Sequence, residues 1–428
     1  MKKVDNLLIR HGLEKDDLAL SNDYATIAKL IVAKEVQNDH EIMEMMEETR
    51  THVKMHGKES SVNPHIHALP LIEIDRYVRG ITRWLNELGI HTTMSCDGHH
   101  QRPANISLER PLTYKQKEML QNLLPSSLKI MLTGRKMRIH YQIIEDLLDF
   151  AEKLYHVYQD PACLDYYAAQ TLKQSLLEVL SINGESGNEQ KIRKYLKHKL
   201  GPRMDDVYRD RAGNLLAYRY CGDGPTILLS AHMDTVAPFV DGREIVEEGT
   251  TLTSSAGILG ADDRAGIAII LEVLRKLERT NFRGTIKVAF TVKEEIDCVG
   301  SHQIDQRFID DVDAAIVVDR RHLRDIVTSF AGIESFCPTA FGQLFEEAAK
   351  KLGMPDWSIT EGGSSDARNY AAFGIPTVNL SAGYLHEHTH EEIVNYLASY
   401  ETSKLILKML SDGEVRCITD EKKMLHSF

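Results

Sequence analysis

TILLSAHMDTV, residues 226–236, is a short apolar run that ends on an imidazole and a carboxylate, His232 and Asp234. Three later runs share its character: TIKVAFTV (285–292), AAIVVD (314–319) and TVNLSAG (377–383). Strands apolar on both faces suit a sheet with helices packed against each side. AGIAIILEVLRKLE (265–278) and LFEEAAKKLG (344–353) have the length and spacing to supply those helices. The expectation for the C-terminal half is therefore α/β, a doubly wound mixed sheet covered by helices on both faces.

Upstream the rhythm changes. Residues 1–60 read as charged helices, with YATIAKLIVAKEV and HEIMEMMEETRTHV apolar at three- and four-residue spacing. Residues 61–165 alternate short strands and helices: HIHALPL, HTTMS and ANISLE read as extended, LKIMLTG and KMRIHYQ as a hairpin, and IIEDLLDFAEKLYHVY as a helix. This predicts a smaller α+β accessory domain, followed by the α/β domain over 166–412 and a tail over 413–428.

Composition narrows the class. At 428 residues the chain exceeds one usual hydrophobic core, and 43% hydrophobic with 27% charged residues is ordinary for a globular protein. A formal charge of −12 repels phosphate backbones, which argues against nucleic-acid binding. The six cysteines form no C-x-x-C pair, the N-terminus lacks a sustained apolar segment, and no run approaches the length of a membrane span. A cytoplasmic protein with reduced thiols and no membrane partner is expected.

The chemistry gathers where strands end. His232 and Asp234 follow the first run, Glu294 and Glu295 the second, and Asp319 closes the third, while His388 lies soon after the fourth. Asp262 and Asp263 open the helix that continues from Ala265. Ligands of open α/β sheets bind at the carboxyl ends of the strands. Two imidazoles and several carboxylates there form a nitrogen and oxygen set that suits zinc, with manganese or cobalt as alternatives. Each piece alone has a plainer reading. Asp262 and Asp263 resemble a helix N-cap, Glu294 and Glu295 a solvated loop, and HEHTHEE a polar surface loop. Their joint order and placement favour a metal site.

AHMDTV (231–236), GADDRAG (260–266), TVKEEIDCVGS (291–301), VVD (317–319) and GIPTVNLSAGYLHEHTHEE (374–392) together resemble the motifs of co-catalytic di-zinc exopeptidases and amidohydrolases. This is the clan of peptidase T, the aminoacylases and the leucyl and glutamyl aminopeptidases. The resemblance covers about 168–412. It implies two divalent metal ions, with His232 and Asp319 on one, Glu295 and His388 on the other, and Asp262 bridging. It further implies that Asp234 orients His232 and that Glu294 is the general base acting on a metal-bridged water. Spacing does not choose among His386, His388 and His390. The resemblance selects His388, which opens an H-T-x-x-E pattern ending at Glu392, and it places the bridge at Asp262 rather than Asp263.

The implied activity is cleavage of an amide bond in a small peptide or acyl-amino acid, with an exopeptidase ahead of an N-acyl-amino-acid deacylase. A non-catalytic metal-binding sensor or scaffold is the alternative from another class. Within GGSSDARNY (362–370), Arg368 is a candidate grip for a substrate carboxylate, with an internal salt bridge equally consistent. Tyr384 is a candidate hydroxyl donor to substrate, although packing is the simpler role. The resemblance also implies a homo-oligomer.

The pattern departs from the family in one respect. Peptidase T-like enzymes insert a domain between the last two ligands, where this chain has only residues 320–387, and the aminopeptidase branch inserts one where this chain has only 233–261. The histidine and arginine supplied by a lid are thus absent from their usual place. NPHIHALP (63–70) and SCDGHHQRP (95–103), with His65, His67, Cys96, His99, His100 and Arg102, form the densest His/Cys cluster outside the catalytic half. Three readings stay open: a lid or oligomer contact, a separate metal or small-ligand site, and ordinary loop residues.

Overall fold

The computed structural model describes residues 2–20, 22–53, 71–125, 127–277 and 280–412. The chain divides into two units, Met1–Ala168 and Ala169–Phe428.

In the N-terminal unit, helices Lys2–Arg10, Asp17–Leu20, Asn22–Lys34 and Asp39–Val53 precede an antiparallel sheet. Its strands are β1 (Thr92–Cys96), β2 (Ala104–Leu108), β3 (Lys129–Thr133) and β4 (Lys136–His140), in the order β1-β2-β4-β3. Helices Arg79–Glu87 and Asp146–Gln159 accompany it. One hydrophobic core unites the early helices with the sheet, since Leu8, Ile27, Ile42 and Met45 share it with Trp84, Ile106, Met137 and Phe150. Trp84 is fully buried and donates its indole N–H to the Ile9 carbonyl at 2.8 Å, satisfying the one polar atom it carries inside. The extended segment expected around HIHALPL, with His65 and His67, lies outside the described residues except for Leu71. That residue opens the 3-10 turn Leu71–Glu73. The expected C-terminal tail, 413–428, also lies outside them.

The C-terminal unit is built on strands β5 (Asp206–Arg209), β6 (Leu215–Tyr220), β7 (Thr226–His232), β8 (Ile245–Glu248), β9 (Thr251–Ser254), β10 (Thr285–Thr291), β11 (Ala314–Arg320), β12 (Asp325–Phe330), β13 (Glu334–Ser335), β14 (Ser358–Gly362), β15 (Thr377–Ser381), β16 (Tyr384–Leu385) and β17 (Ile393–Asn395). The main sheet runs β13-β12-β15-β11-β7-β10-β6-β5, with β14 against β12. Its centre, β15-β11-β7-β10, is parallel, whereas β6 and β5 on one side and β12 on the other pair antiparallel. The expected mixed, doubly wound sheet is what forms.

Burial explains the centre. Every residue of β7 is buried, as are six of the seven in β10. Helix Ala261–Leu277 covers one face, packing on β7 and β11 and on helix Tyr396–Asp412. Gly266 lets it approach closely, because a Cβ there would lie 2.0 Å from the Val318 carbonyl oxygen. The other face buries Leu228, Ala289 and Val317 with Phe308, Ala367 and Tyr370. Each fully buried side chain of this kind contributes about 1.5–3 kcal/mol, so the apolar strands hold their ends in fixed register.

A second, small antiparallel sheet, β16-β17-β9-β8, was not expected. It joins the 245–254 hairpin to the loop that carries His388, through pairs such as Tyr384 with Val394 and Ile393 with Thr253.

Candidate active site

The register of the parallel strands aligns the ionisable groups. Thr291 of β10 pairs with His232 at the end of β7, so Glu294 and Glu295 emerge just beyond that imidazole. Asp319 sits near the end of β11, on the opposite side of β7. Helix Ala261–Leu277 begins with Asp262 and Asp263 in non-helical conformations, joined by a cis peptide bond, and the β16–β17 loop delivers His388.

Asp262 stands between the two imidazoles. Its Oδ1 is 2.9 Å from His232 Nε2 and its Oδ2 is 3.1 Å from His388 Nε2. Around His232 Nε2 also lie Asp319 Oδ1 at 3.6 Å and Glu294 Oε2 at 3.8 Å. His388 Nε2 is 2.9 Å from Glu295 Oε2. Asp263 has a different occupation, accepting backbone N–H groups of His232 at 3.2 Å and Gly266 at 2.9 Å. The flanking His386 and His390 are exposed.

Buried partners hold this set in place. The Asp234 carboxylate accepts the Ser186 hydroxyl at 2.7 Å and the backbone N–H groups of Glu294 at 3.0 Å and Glu295 at 3.2 Å. It is 3.6 Å from His232 Nδ1, which lies closer, at 3.1 Å, to the Asp234 backbone carbonyl oxygen. An Nδ1–H donated to that carbonyl leaves Nε2 as the electron-pair donor facing the cluster. Glu392 at the base of the histidine loop accepts from Gly260 N at 2.6 Å and Asp262 N at 3.0 Å, tying the loop to the turn that presents Asp262.

Four carboxylates face two imidazoles here, and the electrostatics register the imbalance. Burial, then the neighbouring Asp319, Asp366 and Asp262 carboxylates, push Glu294 up to about 9 against the pull of His232. Burial, with Asp262 and Asp366 nearby, pushes Asp319 up to about 7, although His232 opposes the rise. Hydrogen bonds to Asp262 and Glu295 hold His388 up to about 10. For His232 burial alone would lower the value, yet Asp319, Asp234 and Asp262 raise it well above the ordinary range. Divalent cations would supply the missing positive charge, and the nitrogen and oxygen donors suit them. Two of the ligand-type groupings among the described residues, His232–Asp262–Glu295 and His232–Glu294–Asp319, fall in this cluster, so the residues present fit such ions.

Residues 245–405 match the family model of the M42 glutamyl aminopeptidases. That match lies wholly within the C-terminal unit and covers less than half of the chain. The match spans Asp262, Glu294, Glu295, Asp319 and His388, while His232 and Asp234 precede it. Among relatives, the uncharacterized protein YqjE of Bacillus subtilis (strain 168) is 23% identical over 363 residues, 56% of this chain and 98% of that one. Among solved structures, aminopeptidase PepT from Bacillus cereus superposes with a TM-score of 0.53 at 21% identity, covering 57% of this chain and 99% of that one. A tripeptidase from Staphylococcus aureus subsp. aureus gives 0.51 at 21% identity, covering 57% and 98%. These likenesses establish the fold.

Around the cluster of carboxylates and imidazoles, the remaining candidates have defined partners. Arg368 is exposed, donates from Nε and Nη2 to the Glu334 carboxylate at 2.6 Å each, and lies over the Phe330 ring. Tyr384 is buried and donates its hydroxyl to Asp319 Oδ1 at 3.1 Å.

Asp366 and Cys298 escaped sequence reasoning. The buried Asp366 carboxylate accepts hydroxyls from Thr291, at 2.5 Å, and Ser301, and it groups with Glu294 and Cys298. The Cys298 thiol donates to Glu294 Oε1 at 3.2 Å. Asp366 was within reach of a reading of GGSSDARNY, but an acidic residue opening a helix passes as a cap.

Proposed function

We propose that the C-terminal unit is a two-metal exopeptidase that releases a terminal amino acid from short peptides, with zinc as its metal. The observation that carries this reading is Asp262, whose two oxygens each face a different imidazole. That arrangement supports a bridging carboxylate, with His232 and Asp319 on one ion and His388 and Glu295 on the other. Bound there, two divalent ions would acidify a water and stabilise negative charge developing on the substrate carbonyl oxygen.

The chain's own residues supply the proton transfers and the alignment. Glu294 lies 3.8 Å from His232 and groups with Asp319, and cations bound at the cluster would offset the crowding of carboxylates that raises its proton affinity. It accepts a proton from the attacking water and delivers it to the departing amine. Asp234 fixes the backbone of Glu294 and Glu295, so neighbouring carboxylates turn to separate tasks. Tyr384 is a positioning residue on this reading, orienting Asp319 through its hydroxyl. Arg368, engaged with Glu334, is assigned no contact with substrate.

The test is amino-acid release from dipeptides, tripeptides and N-acyl-amino acids by the purified chain, before and after a chelator. Chelator-sensitive release from peptides with a free α-amino group supports the proposal. Release only from N-acyl-amino acids makes the protein a deacylase, and no release from any substrate at full metal loading refutes hydrolysis.

A further inference from the structure

We propose that the N-terminal unit carries a zinc site of its own, formed by Cys96, His99 and Asp75. The three offer a thiolate, an imidazole and a carboxylate with donor atoms within 4.8 Å of one another. His99 Nε2 is 3.9 Å from Cys96 Sγ and 4.0 Å from Asp75 Oδ2. Tetrahedral zinc, with its sulfur bond near 2.3 Å and its nitrogen bond near 2.0 Å, holds such donors about 3.5 Å apart. His99 is exposed, and a small side-chain rotation closes the difference.

The turn is open to solvent at His99, but its polar groups are held in place. His99 Nδ1 is 3.3 Å from Asp97 Oδ1, and Asp97 is buried. A carboxylate on one ring nitrogen fixes the tautomer that leaves the other free to bind metal. Asp97 is itself held, accepting His99 N–H at 2.8 Å and donating its own N–H to Asp75 Oδ2 at 3.2 Å. Cys96 Sγ accepts the Gly98 N–H at 3.4 Å, which fixes the sulfur beside His99. Gly98, His99 and His100 all have positive φ, at 81°, 54° and 61°, which folds the chain back so that His99 returns over Cys96. Gly98 is required at the start of that turn, because a Cβ would lie 2.0 Å from the Arg102 carbonyl oxygen. Tyr141 closes it from outside, donating to the carbonyl oxygens of Asp97 at 3.2 Å and Arg102 at 3.1 Å.

The donor set identifies the metal class. A thiolate disfavours magnesium and calcium, and sulfur with nitrogen and oxygen in a tetrahedral arrangement suits zinc. Three protein ligands leave a fourth position for water or an external donor.

The experiment adds cobalt(II) to the metal-stripped full-length chain and follows the near-ultraviolet thiolate-to-cobalt absorption, then displaces cobalt with zinc. The band should saturate with one cobalt ion beyond the two that the C-terminal cluster takes up, and disappear on adding zinc. Cys96→Ser should abolish it, and His99→Ala should weaken cobalt binding at least tenfold, while Cys298→Ser leaves it intact. His99 is exposed, so its replacement should not change the circular dichroism spectrum. No thiolate band in the wild-type chain, or a band kept in Cys96→Ser, overturns the proposal. Cobalt binding by His99→Ala as tight as that of wild type overturns it as well. The readout is independent of peptide hydrolysis, so this site and the proposed activity are tested separately.

Discussion

The two ligand clusters of this chain are built in opposite ways. In the C-terminal unit, donors sit at the ends of strands buried along nearly their whole length, and residues up to 126 positions apart meet through sheet register. In the N-terminal unit, Cys96 and His99 are local, at the end of an edge strand of a small antiparallel sheet, and Asp75 joins them from a short distance upstream. The first arrangement fixes geometry by core packing, and its donors are mostly withdrawn from water. The second depends on one strained turn and is open to solvent. Burial multiplies the cost of uncompensated charge, so the C-terminal cluster should depend far more strongly on its metal.

The largest expected effect tests the chemistry of the buried cluster. Glu294→Gln should retain bound metal while kcat falls about 10²–10⁴-fold, as expected for loss of a positioned proton carrier. Metal analysis alongside steady-state kinetics checks both halves. Unchanged kcat removes Glu294 from the base role.

Next comes metal removal. Each divalent ion at 100 to 1,000 times its Kd should stabilise the chain by about 2.7–4.1 kcal/mol, read as a rise in the melting temperature of the C-terminal unit. The metal-free protein should also lose stability as pH rises. Glu294 and Asp319, held up to about 9 and about 7, bind protons when folded that they release when unfolded. Their contribution is full below the ordinary carboxylate range and is lost as pH rises through those values. His388, held up to about 10, has the same sign: its contribution is full below the ordinary histidine value and disappears as pH rises through 10. Asp262, lowered by His232 and His388 despite its burial, opposes the trend only at acid pH. A melting temperature that climbs between pH 5 and 9 without metal would contradict this account.

A smaller effect tests the packing that fixes the cluster. Gly266→Ala places a methyl group against the Val318 carbonyl and should destabilise the C-terminal unit by about 1–3 kcal/mol in denaturant unfolding. The smallest belongs to the surface. Arg368→Ala removes an exposed ion pair and should leave both melting temperature and KM within error. A clear rise in KM would restore Arg368 as a substrate contact.

What could be read from the sequence follows the same division. The apolar strands announced themselves, and because they end on ionisable residues, the position of the cluster followed from the general rule for open α/β sheets. The small sheet was not legible, since β8 is short and largely exposed and β16 and β17 are only two and three residues long. Asp234 shows a second limit. The resemblance implied an imidazole partner for it, His232, but its carboxylate also spans to backbone N–H groups 60 and 61 residues away. Asp366 shows a third, because its hydroxyl partners, Thr291 and Ser301, come from the strand and helix flanking Glu294.

The central claim is that the Asp262 cluster is a two-metal centre for peptide hydrolysis. Its most direct test is amino-acid release from a dipeptide and tripeptide panel as zinc is restored to the metal-stripped chain. The account predicts no release without metal, full release once the C-terminal unit has bound two ions, and none in Asp262→Ala at the same zinc concentration. Release that ignores the chelator, or Asp262→Ala that binds two ions and works as fast as wild type, would contradict it.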